Sequence, residues 1–251
     1  MNASVWLGVG LPFGVTALGA CGALFMGAGL NKKLNCAMSA AAAGVMTAAA
    51  IWSLLLPAIE QGSGMGRLSF VPTLVGFWLG VVFLFALDRL LPCPDREGGG
   101  EKTNLFVLAV TIHNFPEGMA VGIIYAGLMA GNCGVTELAA FSLALGIAVQ
   151  NFPEGAIISM PLAAQGMKRG KAVLLGVASG AVEPIGALMC IAAARFFVPL
   201  MPYFLSFAAG AMIYVVVSEL IPEAAEEKGG LCPLMFSLGF SLMMVLDVAL
   251  G

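Results

Sequence analysis

The chain has 251 residues, of which 60% are hydrophobic and only 10% are charged, and its formal net charge is −3. Soluble domains carry about 25% charged residues, so this composition and a mean hydropathy of +1.00 exclude an ordinary soluble protein and predict a membrane protein. The net charge says nothing about nucleic acid, because the charges are dispersed over loops and buried sites; the expected partner is the lipid bilayer, and no nucleic acid is expected. At roughly 20 to 25 residues for each span, the chain has room for about eight helices.

The expected fold is an all-α polytopic membrane protein with a single transmembrane domain over residues 1–251. No basic residue precedes the first apolar run, so we expect that run to be a span rather than a signal peptide. Polar segments rich in Gly and Pro separate the apolar runs, and the longest covers 92–102. The eight predicted spans are 4–29, 36–59, 70–91, 104–129, 136–164, 171–194, 199–222 and 231–250.

Basic residues determine the predicted orientation of these spans. Nine of the 11 Lys and Arg residues fall in or beside the loops after the first, third, fifth and seventh spans. Loops rich in Lys and Arg remain in the cytoplasm, so both termini are expected to lie outside. The nine residues are Lys32, Lys33, Arg89, Arg96, Lys102, Lys168, Arg169, Lys171 and Lys228, whereas Arg67 and Arg195 fall on the other side.

A weak internal repeat predicts a 3+2+3 arrangement. Residues 42–46 (AAGVM) in the second span resemble residues 208–212 (AAGAM) in the seventh, and Pro57 and Pro222 follow them. Matched spans lie five apart, so the two triplets cross the membrane in opposite directions, as inverted repeats of carriers do. A chance match of small residues is the alternative, and the same small-residue faces are expected to support a homodimer. The other matches are Gly19 with Gly186, Gly76 with Gly239 and Phe77 with Phe240.

The most informative pattern is a polar motif that occurs twice within apolar segments. Residues 113–118 (HNFPEG) in the fourth span recur as residues 150–155 (QNFPEG) in the fifth. An ionisable group inside a membrane is costly unless it has a partner, so the motifs are expected to form one polar site. His113 and Glu117 share a helix face, as do Gln150 and Glu154. Asn114 and Asn151 are turned away and can address an adjacent position.

The side chains of the two motifs suit a transition metal. One imidazole, at least two carboxylates and several amide oxygens favour Zn, Fe, Mn or Cd, whereas Mg or Ca would be bound by oxygen alone. Glu183, beside Pro184 in the sixth span, is a third candidate carboxylate. Met46 in the second span is a soft ligand or a packing residue. The alternative to a metal site is a hydrogen-bonded packing network of polar helix faces.

These residues resemble the ZIP (Zrt/Irt-like) family of divalent-metal transporters, and the resemblance covers essentially the whole chain. Gln150, where many members have His, and Glu183-Pro184 are similar to the GufA-like bacterial branch. The resemblance implies the ZIP fold and transport of Zn²⁺, with Cd²⁺, Fe²⁺ or Mn²⁺ as further substrates, into the cytoplasm. It also implies elevator-type alternating access, a place in the bacterial cytoplasmic (inner) membrane, no cofactor, and the metal as substrate.

The resemblance further implies a binuclear centre with a transport pathway on either side of it. Asn151 stands where some relatives have Asp, so the second position carries less charge. Ser53 resembles an entrance position, and Asp88 and Glu219 resemble positions along the exit. One metal position would use His113, Glu117, Gln150 and Glu154 with Met46, and the other Asn114, Glu117, Asn151, Glu154 and Glu183, with both motif glutamates bridging.

Two other functions compete with metal transport. An intramembrane metalloenzyme such as a zinc protease would need a His-Glu-x-x-His pattern, and the chain has one His; we therefore expect that it is not an enzyme. An ion-coupled carrier of an organic substrate would use the carboxylates as proton or sodium sites. No basic residue lies near the middle of a predicted span to bind an organic anion, which disfavours that alternative.

Overall fold

The structure, a computed structural model, describes residues 3–25, 32–90, 100–131, 135–164, 166–225 and 230–250. Within these ranges the chain is helical and has no strand, as expected where lipid cannot satisfy backbone hydrogen bonds. The described helices form eight units: α1 (Ala3–Ala20, then Gly22–Phe25), α2 (Lys32–Ala49, Ala50–Leu55, Leu56–Gln61), α3 (Phe70–Leu90), α4 (Gly100–Met129), α5 (Glu137–Ala164), α6 (Arg169–Gly180, Val182–Ala192), α7 (Ala194–Phe197, Val198–Leu200, Met201–Val215, Val216–Leu220, Ile221–Ala225) and α8 (Leu231–Leu250). A 3-10 helix, Ser63–Leu68, connects α2 with α3.

Seven of these units in the described part of the chain are long and apolar enough to cross a membrane. The remaining unit, α4, has 30 residues, but the side chains of 100–110 lie outside the described part. The all-α polytopic membrane class is therefore confirmed, whereas the eighth span stays a prediction. The predicted helix end at 26–29, most of the predicted loop at 92–102 and the loop residues 226–229, with Arg96 and Lys228, also lie outside the described residues.

The observed helix ends differ most from the predicted ones at α7. Its helical segments begin at Ala194 rather than at 199. Pro199 and Pro202 occupy the first turns of the segments Val198–Leu200 and Met201–Val215, where a missing backbone N–H removes no intrahelical hydrogen bond. The prolines therefore start new helical segments within α7 and do not mark its beginning.

Two π-helical segments occupy equivalent places in α2 and α7. Ala50–Leu55 lies just before Pro57, and Val216–Leu220 lies just before Pro222. A proline lacks a donor and crowds the carbonyl four residues earlier, so a wider turn with bonds over five residues relieves the clash. Accordingly, Leu56 N–H bonds to the carbonyl of Ile51, and Ile221 N–H bonds to that of Val216.

The eight units pack as two bundles. In the site bundle, defined as α1, α4, α5 and α6, α1 packs mainly on α5 and α4 packs mainly on α6. In the frame bundle, defined as α2, α3, α7 and α8, α2 packs mainly on α8 and α3 mainly on α7. The bundles meet chiefly where α2 contacts α5 and α7 contacts α4. In the predicted repeat, α1 corresponds to α6, α2 to α7, α3 to α8 and α4 to α5. Under this correspondence the α1–α5 contact becomes α6–α4, the α2–α8 contact becomes α7–α3, and the α2–α5 contact becomes α7–α4.

Glycines at the helix crossings of the site bundle show the same correspondence. A side chain at Gly19 would overlap the backbone of Phe152, and one at Gly186 would lie 3.2 Å from the carbonyl oxygen of Phe115. Phe152 and Phe115 hold equivalent places in the two motifs. This agreement is difficult to obtain from chance similarity between apolar sequences, so it supports the predicted repeat.

The small-residue faces of α2 and α7 are used inside the chain. A side chain at Gly44 would overlap the backbone of Phe236 on α8, and one at Gly210 would overlap the backbone of Phe77 on α3. The neighbouring residues Ala43 and Ala209 are fully buried. These faces are therefore occupied, and the predicted homodimer, which remains untested, would need another surface.

Candidate metal centre

The two sequence motifs lie inside the site bundle on adjacent helices. On α4, Asn114 and Glu117 are 1% and 2% exposed, and on α5, Gln150 and Asn151 are fully buried. Glu154 on α5 is also buried. The backbone of His113 belongs to α4, but its side chain lies outside the described part of the structure. Polar groups of this kind are rarely buried in a bundle without a partner or a function.

The first contact between the motifs joins Gln150 to Glu117. The Gln150 amide Nε2 donates to Glu117 Oε1 at 2.6 Å. The opposite oxygens of the same two side chains, Glu117 Oε2 and Gln150 Oε1, are buried and accept no hydrogen bond from any described residue. Since the amide uses its donor to hold the carboxylate, both side chains keep an oxygen for another ligand.

The second contact brings α6 to the motifs through Glu183, which is 2% exposed. Asn151 Nδ2 donates to Glu183 Oε2 at 2.7 Å, and the Thr16 hydroxyl of α1 donates to Glu183 Oε1 at 2.8 Å. Asn151 Oδ1 is buried and likewise has no described hydrogen-bond donor. Helices α1, α5 and α6 therefore meet at one carboxylate.

The helices approach closely enough for these contacts because glycine follows each motif glutamate. A side chain at Gly118 would overlap the backbone of Glu183, and one at Gly155 would overlap the backbone of Thr16. Glycine at these two positions therefore permits the close helix crossings.

The break in α6 lies beside the cluster. The helix stops at Gly180 and restarts at Val182, with Glu183 and Pro184 in the new first turn. The Asn114 side chain on α4 donates to the backbone carbonyl of Ser179 at 3.3 Å. Asn114 thus joins the broken turn of α6 to α4.

Acidic side chains are gathered in this cluster. Glu117 lies close enough to Glu154 and Glu183 for their charges, when ionised, to repel each other, and Glu154 acts on Glu183 in the same way. Every Lys and Arg side chain in the described part of the chain is exposed, so these residues cannot neutralise the buried carboxylates. A bound cation would supply the missing positive charge and accept the lone pairs of the open oxygens.

The described carboxylates are joined through amides rather than to each other. Among the described side chains, no group of three or more His, Cys, Asp or Glu is close enough to hold a metal ion by itself. A metal site at this place therefore needs the amide oxygens of Gln150 and Asn151 or the imidazole of His113. Met46 is 1% exposed in the apolar core, and its membership of the ligand set stays a prediction.

Ser53 lies apart from this cluster, near the end of α2. Its hydroxyl donates to Asp247 Oδ1 of α8 at 2.6 Å, and the Ser142 hydroxyl of α5 donates to the same oxygen at 3.4 Å. Ser53 and Asp247 line a cavity of about 280 Å³ whose walls come from α2, α4, α5 and α8. Asp247 was not predicted as a functional residue, although an ionisable side chain in the last apolar span is a sufficient reason to consider it.

Asp88 and Glu219 lie in the frame bundle, on α3 and α7. The Tyr214 hydroxyl of α7 donates to Asp88 Oδ2 at 2.6 Å. Glu219 belongs to the π-helical segment of α7 and is half-buried. Neither residue is brought to the buried cluster. Tyr214 was not predicted, because a tyrosine in an apolar helix gives no distinctive pattern.

A bundle of apolar helices that encloses a cluster of polar and acidic side chains is an arrangement typical of membrane transporters. A sequence model described as ZIP Zinc transporter matches residues 97–247. The chain is 34% identical to "Zinc transporter ZIP11" of Xenopus tropicalis over 98% of the chain and 96% of that protein. It is 38% identical to "Zinc transporter GufA" of Myxococcus xanthus over 80% of the chain and 81% of that protein. It is also 38% identical to "Zinc transporter ZIPB" of Bordetella bronchiseptica over 98% of the chain and 81% of that protein. The chain belongs to the ZIP family.

Proposed function

We propose that the chain carries divalent transition-metal ions, Zn²⁺ first among them, through a two-position site in the middle of the site bundle. The observation that carries this proposal is the set of three buried oxygens, Glu117 Oε2, Gln150 Oε1 and Asn151 Oδ1, that accept no hydrogen bond from a described residue. Glu117 and Glu183 in the same cluster are held by neutral amide and hydroxyl donors among the described residues. A divalent cation would satisfy both conditions.

The first position combines His113, Glu117, Gln150 and Glu154 with Met46, and the second combines Asn114, Glu117, Asn151, Glu154 and Glu183. Gln150 supports the first position, because its amide oxygen is open while its amide nitrogen holds Glu117. Asn151 supports the second position in the same way through Glu183. The mixture of imidazole, carboxylate and amide favours Zn²⁺, Cd²⁺, Fe²⁺ and Mn²⁺.

The path to the site begins at the cavity of Ser53 and Asp247, which opens between the two bundles. On the other side of the site it continues past Asp88 and Glu219 in the frame bundle. With both termini outside and the protein in the cytoplasmic membrane of a bacterium, this direction is inward. Conduction requires sites that release their ion, and the hydroxyl-held carboxylates of Asp247 and Asp88 are the proposed sites of this kind at the two ends.

Movement of the site bundle against the frame bundle would give alternating access of the elevator type. The division of the helices supports this motion, because the largest contacts lie within each bundle and α2–α5 and α4–α7 form the main junctions between them. The ligands from α4, α5 and α6, which all belong to the site bundle, would then travel together, whereas Met46 of the frame bundle would part from them.

Uptake by proteoliposomes tests the proposed function. Purified protein is reconstituted, and uptake of Zn²⁺, Cd²⁺, Fe²⁺ and Mn²⁺ is measured in parallel, with and without a pH gradient. We expect saturable Zn²⁺ uptake above that of protein-free vesicles. Absence of uptake for all four metals, in protein that binds no metal at equilibrium, would refute the function and leave an ion-coupled carrier of another substrate.

A further inference from the structure

We infer that Thr16 of α1 is a positioning residue that holds Glu183 in the orientation required for the second metal position. The inference rests on the proposed function and extends the site to a fourth helix of the site bundle. Thr16 is fully buried, and its hydroxyl lies 2.8 Å from Glu183 Oε1. Since the hydroxyl gives its hydrogen to the carboxylate, Thr16 acts on the metal through Glu183.

The hydroxyl hydrogen of Thr16 has two acceptors within reach. One is the backbone carbonyl of Pro12 in the same helix at 3.1 Å, and the other is Glu183 Oε1 at 2.8 Å. A hydroxyl has one hydrogen to donate, and a carboxylate accepts a shorter and stronger bond than a neutral carbonyl. We therefore assign the donated hydrogen to Glu183.

Glu183 is held on both sides. Asn151 Nδ2 donates to Oε2 and Thr16 donates to Oε1, so the plane of the carboxylate is fixed by two helices other than its own. Asn151 is itself a proposed ligand, and its side chain must respond to the metal. Thr16 is the partner of Glu183 that lies outside the proposed ligand set, so it can fix the carboxylate whether or not a metal is bound.

Close packing fixes the side chain of Thr16. The α1 backbone at Thr16 lies against Gly155, and a Cβ at Gly180 would come within 2.7 Å of Thr16 Cγ2. A β-branched side chain has few rotamers, and contact on its methyl side leaves its hydroxyl directed at Glu183. The donor is therefore preorganised rather than selected from several conformations.

The repeat explains why a residue of α1 reaches this site. Thr16 precedes Gly19 by three residues, as Glu183 precedes Gly186, so Thr16 and Glu183 are equivalent positions in the two halves. Equivalent residues near the axis of a two-fold repeat lie opposite each other, and here one half supplies the carboxylate while the other supplies its hydrogen-bond donor. Without the repeat, a single threonine in an apolar helix gives no sequence signal.

Partners of this kind orient metal ligands, and their removal typically lowers metal affinity by about 10- to 100-fold. The first metal position does not use Glu183. Loss of the Thr16 hydroxyl should therefore weaken one of two metal-binding events and leave the other unchanged, whereas general damage to the bundle would weaken both.

Calorimetric titration of purified, metal-free protein with Zn²⁺ tests this role. Thr16→Val keeps the shape and removes the donor, and Thr16→Ser keeps the donor. We expect two binding events in the unaltered protein, the weaker of them reduced about 10-fold or more in Thr16→Val and retained in Thr16→Ser. Thr47→Val is the matched control, because the Thr47 hydroxyl bonds within its own helix, to the carbonyl of Ala43 at 2.7 Å.

A double-variant cycle separates positioning from packing. If Thr16 acts through Glu183, Thr16→Val should change the weaker affinity little once Glu183→Gln is present. Thr16→Ala serves the same comparison should Thr16→Val fail to fold. Equal affinities in Thr16→Val and the unaltered protein, or additive losses in the cycle, would overturn the role of Thr16 and leave the proposed function intact. A single binding event in the unaltered protein would overturn it together with the second metal position.

Discussion

The site bundle and the frame bundle place their polar residues in opposite ways. The site bundle buries Glu117, Glu154 and Glu183 with two amides in its interior. The frame bundle packs through small residues such as Gly44 and Gly210, and its polar pairs, Ser39 with Glu223, Ser53 with Asp247 and Asp88 with Tyr214, lie toward helix ends. The site bundle also crosses at glycines, but it gathers its three glutamates in one place, an electrostatic cost that a cation can offset.

This difference identifies where function constrains the sequence. In the frame bundle, close helix packing contributes to stability without any ligand. In the site bundle, burial of three carboxyl groups opposes folding of the metal-free protein, so metal binding should stabilise this bundle more than the frame. Substitutions in the site bundle are therefore expected to affect metal binding, and substitutions in the frame bundle are expected to affect stability.

The largest expected effect is loss of transport when a motif glutamate is neutralised. Glu117→Gln or Glu154→Gln should lower Zn²⁺ uptake by at least about 100-fold, because loss of a direct ligand should exceed the upper range for partners that only orient ligands. Uptake by proteoliposomes with equal protein content measures the effect. Glu137→Gln, at an exposed position at the start of α5, is the matched control. Normal uptake by either motif variant would contradict the shared site.

A substitution in the frame should affect stability rather than binding. Gly210→Ala forces a Cβ against the backbone of Phe77 and should cost about 1–3 kcal/mol, the usual range for overpacking. Thermal unfolding in detergent measures the loss, and Zn²⁺ stoichiometry of the folded fraction should stay the same. Gly14→Ala is the control, since its added Cβ would have no neighbour within 4 Å in the described structure apart from its own stretch of helix. Loss of Zn²⁺ binding in folded Gly210→Ala would show that the bundles do not separate.

Asn151→Asp should increase the difference between the two bundles, because it adds a negatively charged group to the site bundle. The variant replaces the donor to Glu183, 2.7 Å away, with a second carboxylate, so the metal-free protein should lose stability and the metal-bound protein should gain it. We expect affinity at the second position to rise about 10-fold, one added charged interaction being worth about 1.4 kcal/mol or more, with equal or lower turnover. Calorimetry and thermal unfolding with and without Zn²⁺ measure both effects. Unchanged stoichiometry and affinity would mean that position 151 does not face a metal.

The smallest effects are expected at the ends of the frame bundle. Tyr214→Phe removes the hydroxyl that holds Asp88, and Ser53→Ala removes the one that holds Asp247. One hydrogen bond is worth about 1 kcal/mol, so each variant should change the rate of Zn²⁺ uptake by about fivefold or less and leave equilibrium binding at the central site unaltered. A complete loss of uptake in either variant would place an essential step at that end.

The sequence predicted the helices and the polar site formed by the two motifs, because both depend on the local order of apolar and polar residues. Long apolar runs specify membrane helices without knowledge of their neighbours, and ionisable groups such as Glu117 and Glu154 stand out in such runs. The repeat also predicted which helices would pack alike, as the contacts of Gly19 and Gly186 illustrate.

Partners contributed by other helices could not be predicted in this way. Thr16 and Tyr214 are unremarkable in their own helices and gain a role only when folding brings them to Glu183 and Asp88. The use of Gly44 and Gly210 inside the chain was also missed, because a small-residue face does not indicate which helix covers it. The two π-helical segments depend on proline crowding within the helix, which periodicity does not reveal.

Zinc stoichiometry measured by elemental analysis after equilibrium dialysis tests the two-position site most directly. The unaltered protein and the Glu137→Gln control should each retain two Zn²⁺ ions per chain, and the Glu117→Gln/Glu154→Gln double variant should retain fewer than one, because both proposed positions lose their shared ligands. Equal zinc content in all three proteins, or no bound zinc in the unaltered protein, would contradict the assignment of the buried cluster as the metal site.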